Sequence, residues 1–82
     1  MNPPEVQMII QVERPGEKLD REAIEKILEG TGILLDPSYG PLSVNPQLGR
    51  YVVRGRVTPQ ARALAEKIPG VRLFADVKQK PI

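Results

Sequence analysis

The chain has 82 residues, twelve Lys/Arg against ten Asp/Glu for a net charge of +2, and neither His nor Cys. That composition removes the usual histidine bases, thiol nucleophiles, soft metal ligands and disulfide staples, and no catalytic constellation is visible without them. The charge is unevenly spread: residues 1–41 hold four basic and eight acidic side chains, residues 42–82 eight basic and two acidic, or −4 and +6.

The first apolar run, 6–13, alternates with period two: Val6, Met8, Ile10 and Val12 on one face, Gln7, Ile9, Gln11 and Glu13 on the other. Arg14-Pro15-Gly16 stops it. A helix is predicted over 20–30, with Asp20 as N-cap and Leu19 and Ile24 spaced as a hydrophobic staple. Ala23, Ile24, Ile27 and Leu28 form its buried stripe, and Gly30 suits the left-handed position after it. Residues 33–35 read as a short second strand. Residues 36–49 are too rich in Pro and Gly for a continuous ladder and read as one long connection. Such a connection is either functional or mobile, and the simplest structural role for Tyr39 is to fold back over the sheet edge.

A third strand is predicted over 50–57, with Tyr51, Val53 and Val57 inward and Val52, Arg54 and Arg56 outward. Thr58-Pro59 opens a second helix over 58–68, Thr as N-cap and Pro at the first helical position. Its buried stripe is Ala61, Leu64, Ala65 and Ile68. Pro69-Gly70 ends it, and a last strand places Val71, Leu73, Ala75 and Val77 inward with Arg72, Phe74 and Asp76 outward. Residues 78–82 read as an extended polar tail and residues 1–4 as a flexible start.

Two β-α-β units in tandem imply an α+β domain over 1–82 of the ferredoxin-like, split-βαβ kind: βαββαβ, a four-stranded antiparallel sheet with two helices on one face. In the usual strand order Ile9, Val52 and Phe74 then cluster on the uncovered face, framed by Arg54, Arg56 and Arg72. An apolar centre with an arginine rim suits an interaction surface. The bland alternative is a sheet that keeps β-formers on its exposed face because strands need them.

Gly49-Arg50-Tyr51-Val52-Val53, a Thr-started helix of small residues, and Ile68-Pro69-Gly70-Val71-Arg72-Leu73-Phe74 together resemble the subtilisin propeptide-like inhibitor family. The resemblance covers roughly residues 6–79 and is strongest over 49–76. It implies a stand-alone inhibitor or chaperone of a subtilisin-like serine protease. Such proteins lay the open sheet face on two surface helices of the protease and run the C-terminal tail through the active-site cleft by strand addition. The contact patch would be Ile9, Val52, Arg54 and Phe74, and the tail Gln79, Lys80, Pro81 and Ile82. The family's helix-capping carboxylate falls at Ala75 here, which passes that role to neighbouring Asp76; Gln79 stands where an apolar residue is usual, and β-branched Ile82 fits the commonest primary pocket poorly.

Other classes use the same face. A homodimer or a structural subunit would bury it in assembly. A nucleic-acid binder would use Arg54, Arg56 and Arg72 on phosphates and Phe74 for stacking, but sheet-based RNA binders present two or three aromatics, and the acidic first half opposes a polyanion. An acylphosphatase-like enzyme needs a phosphate cradle after the first strand, where Pro15 removes a backbone donor and Glu17 repels phosphate. The expectation is therefore a non-enzymatic binding module with no cofactor and no metal. No stretch is long enough to span a membrane, and the opening residues 1–5 have no basic signal-peptide start, so a cytoplasmic location is expected.

Overall fold

The computed structural model describes residues 5–75. In chain order they form β1 (Val6–Glu13), α1 (Arg21–Ile27), β2 (Leu34–Leu35), β3 (Leu42–Asn45), β4 (Arg50–Val57), α2 (Pro59–Glu66) and β5 (Val71–Ala75). The strands make a five-stranded antiparallel sheet in the order β2-β4-β1-β5, with β3 also paired to β4. β1 pairs with β4 along its whole length, from Val6 opposite Val57 to Glu13 opposite Arg50, and so occupies one edge of β4. The other edge is shared by β2, at Arg56 and Gly55, and β3, from Val52 to Arg50.

Local chemistry accounts for most element ends. The Asp20 carboxylate accepts the Ala23 N–H at 2.8 Å, which satisfies one of the orphan donors of the first helical turn. Leu19 and Ile24 on either side of this cap are both buried, as a staple requires. α1 is shorter than the predicted 20–30. Its last turn tightens, with Glu29 N–H donating to the Lys26 carbonyl and Thr31 donating through both its N–H and its hydroxyl to that of Leu28. α2 starts on the predicted cap, Thr58 Oγ1 accepting the Ala61 N–H at 3.0 Å with Pro59 following, and ends at Glu66.

One strand was not expected. Residues 36–49 contain β3, because 42–45 lie between Pro41 and Pro46 and hold no proline themselves; every residue of this short piece keeps its N–H, and the prolines fall at the ends where a ladder tolerates them. A bulge between Ser43 and Asn45 and a turn closed by Leu48 N–H to the Asn45 carbonyl lead into β4. Gly49 sits at the corner with φ +63°, its carbonyl accepting the Arg14 N–H at 2.9 Å.

The core lies on one side of the sheet. Met8, Ile10 and Val12 of β1, Val53 and Val57 of β4, and Val71 and Leu73 of β5 form one buried cluster with Leu19, with Ile24 and Leu28 from α1 and its C-cap, and with Ala61 and Ala65 of α2. Two inward assignments need correction. Leu64 is 41% exposed, because it lies ~100° around the helix from Ala65, at the flank of a narrow stripe made by Ala61, Ala65 and Ile68. Ala75 shares the inward phase of Leu73 yet is exposed.

Candidate docking face

The opposite phase of the same strands makes a second surface whose register fixes its neighbours. Ile9 lies directly between Arg54 of β4 and Phe74 of β5. In the next row Gln11 lies between Val52 and Arg72, and Val52 is itself opposite Leu42 of β3. Gln7 is opposite Arg56, which is opposite Leu34, and at the other end Glu13 faces Arg50. The structure therefore brings Ile9, Phe74 and Arg54 into one row, with Val52 on the diagonal from Ile9 at the ~7–8 Å spacing of such neighbours. Phe74 is 48% exposed, Ile9 and Val52 are half-buried, and Arg56 and Arg72 are exposed. Asp76, Gln79, Lys80, Pro81 and Ile82 lie outside the described residues.

The face carries its charges in distinct settings. The Glu13 carboxylate accepts from Arg50 through both Nε at 2.9 Å and Nη2 at 2.7 Å, a bidentate donor geometry, at about one-third exposure on each side. The Arg54 guanidinium lies 4.6 Å from the centroid of the Tyr39 ring, within cation–π range. Asp36, at the start of the same loop, is held below the ordinary carboxylate range chiefly by the Ser38 hydroxyl, then by the Ser38 N–H, which together outweigh the opposing cost of desolvation; Arg54 and then Arg21 add weaker attraction.

Three features of this surface escaped the sequence. Tyr39 does fold back, and it does so over Arg54, which puts a second aromatic ring at the open face beside the Phe74–Ile9 row. Leu42 and Leu34 extend the apolar area across β3 and β2, at 49% and 63% exposure. The loop itself is fastened from α1: Arg21 Nη2 lies within hydrogen-bonding distance of the carbonyl oxygens of Gly40 (2.9 Å), Tyr39 (3.1 Å), Asp36 (3.2 Å) and Pro37 (3.2 Å). Its two hydrogens are shared among these acceptors, so the loop is gathered around one cation. Arginines in a β-period strand and at a helix start are visible in the sequence; the ring that Arg54 meets and the carbonyls that Arg21 meets are not.

Among the described residues no group of three or more acidic side chains converges on a point where a metal could sit, and no helix is long and apolar enough to cross a membrane. Neither protein-family models, curated proteins nor solved structures yield a match to this chain.

Proposed function

We propose that the chain is a protein-binding module that docks by its open sheet face, of the subtilisin propeptide-like kind, acting on a subtilisin-like serine protease as inhibitor or folding helper. Treating β2 and β3 as two pieces of one interrupted edge strand makes the arrangement ferredoxin-like, the fold that this resemblance implies. The observation that carries the reading is the asymmetry of the sheet. One face is sealed by the helices, whereas the other presents Phe74, Ile9, Val52 and Leu42 in adjoining register with arginines around them. Apolar side chains left together on one face gain ~25 cal/mol for each Å² that a partner covers. The motifs that carry the resemblance sit at corners of this scaffold, Gly49 before β4 and Pro69-Gly70 before β5.

The test is a titration of a subtilisin with the full chain. Inhibition at micromolar protein is expected. Removal of residues 79–82 should weaken it at least ~10-fold, about 1.4 kcal/mol, and Ile82→Leu should strengthen it because an unbranched Cβ enters the primary pocket more easily. Phe74→Ala should also weaken inhibition while costing under ~1.5 kcal/mol of stability. Absence of inhibition by both the native chain and Ile82→Leu would overturn the protease assignment and leave an assembly subunit as the better account of the face.

A further inference from the structure

Four apolar residues of the open face form a diagonal stripe, with Leu34 standing off it on β2 beside Arg56. Phe74 and Ile9 are opposite one another on β5 and β1, and two residues further along the strands Val52 and Leu42 are opposite one another on β4 and β3. Crossing three strand spacings of ~4.8 Å with a step of ~6.7 Å along the strands, the stripe is ~16 Å long. That length matches about eleven residues, or three turns, of helix.

Charge borders this stripe on both sides. Arg54 and Arg56 lie along β4 on one flank, and Arg72 lies on β5 on the other. Arg50 is answered by Glu13, and Arg54 has the Tyr39 ring and nearby Asp36. Among the described residues Arg56 and Arg72, both exposed, have no ion pair, and they stand on opposite flanks of the stripe. The loop that supplies Tyr39 and leads into Leu42 is already gathered on Arg21 and Arg54, so its contribution to a complex costs little further ordering.

We propose that the stripe, extended by Tyr39 and Leu42, is built for an acidic amphipathic helix on a different protein. The helix would have an apolar line about three turns long and carboxylates on both flanks to meet Arg56 and Arg72. This rests on the protein-binding reading above and adds to it the sign of the partner's charge and the loop's share in the contact. A second copy fits worse, because a two-fold pairing of these faces sets the same arginine-bordered surface against itself. A single-stranded nucleic acid also fits worse: the middle of the stripe is aliphatic, and the Tyr39 ring, which could stack a base, is engaged by Arg54.

The probes are two helical peptides of about fourteen residues sharing one leucine stripe, one flanked by glutamates and the other by lysines, and a single-stranded oligonucleotide. All are titrated into the labelled full chain and followed by amide and methyl chemical shifts. The glutamate peptide should bind at least ~10-fold more tightly than the lysine peptide, shift Ile9, Val52, Phe74, Leu42 and Tyr39, and weaken as salt is raised. Arg56→Glu combined with Arg72→Glu should reverse the preference. Arg21→Met, which touches no probe, should lower affinity several-fold by loosening the loop while the Ile9 and Phe74 shifts persist. Equal binding of the two peptides, no binding at millimolar peptide, shifts confined to the helix side, or tighter binding of the oligonucleotide would each overturn the proposal. A dimer that forms through this face and is unaffected by the two charge reversals would do so as well. Inhibition of a subtilisin with no charge preference would sink this inference and leave the protease reading standing, whereas a glutamate preference without inhibition would do the reverse.

Discussion

Replacing Gly49 by alanine tests how the corner before β4 is held. A Cβ built there would lie 2.0 Å from the Arg14 carbonyl oxygen, 2.6 Å from its carbon and 3.1 Å from Pro15 N. Real Cβ atoms stay beyond about 3 Å from such atoms, so the two segments must part by roughly 1 Å. They are tied together by the Arg14 N–H to Gly49 carbonyl bond at 2.9 Å, worth ~1 kcal/mol net, and by the neighbouring Glu13–Arg50 pair, worth up to ~1 kcal/mol at that exposure. The left-handed backbone at φ +63° adds ~1–2 kcal/mol for any side chain. The total, ~2–4 kcal/mol, is a large share of the ~4–12 kcal/mol expected for a domain of this size. Gly16→Ala is the control: its φ is +80° and nothing lies within 4 Å of the added carbon, so only the backbone term applies. Urea unfolding followed by circular dichroism should separate the two variants by ~1–2 kcal/mol, and thermal melts by at least ~4 °C in Tm. Variants within ~0.5 kcal/mol of each other would mean that the corner yields freely and that the Arg14–Gly49 contact does not fix the start of β4.

Two further substitutions probe the core assignment. Ile24→Ala, at a fully buried position, should cost ~2–5 kcal/mol, whereas Leu64→Ala on the flank of α2 should cost under ~1.5 kcal/mol; denaturant melts that rank them the other way would refute the packing described. Asp36 should titrate below a free aspartate in a carboxyl-detected NMR pH series, and Ser38→Ala should move it back up. Because folding depresses this pKa, its contribution to stability is present above the ordinary aspartate range, near pH 4, and is lost as pH falls through the lower folded value. An Asp36 midpoint at or above the free value would remove Ser38 as an anchor of the loop.

What the sequence made legible was local. Asp20 and Thr58 mark their helix starts because capping is settled within four residues, and β4 runs over the predicted 50–57 because its alternation is unbroken. The helix ends were overextended, since a tightened last turn leaves no mark on the apolar period. Leu64 was misplaced because helical spacing gives the direction of a stripe but not its width, and the small Ala61 and Ala65 make the contact narrow. β3 was hidden by the prolines around it. The open-face pairing of Ile9 with Phe74 followed from strand phase, whereas Tyr39 on Arg54 and the four carbonyls on Arg21 join parts of the chain whose meeting has no local signature.

The shared edge of β4 also bears on how this protein behaves when crowded. A long strand with a bare margin is a template on which another chain can extend the sheet, and soluble proteins blunt such margins. Here the margin is filled by two short strands with a proline-bearing turn between them, a bulge in the second, and the loop drawn in by Arg21. Sheet growth from that side would require stripping all of these at once. On that side of the sheet, association is thereby steered away from backbone pairing, which is indifferent to side chains, and toward the face, where side chains decide the partner.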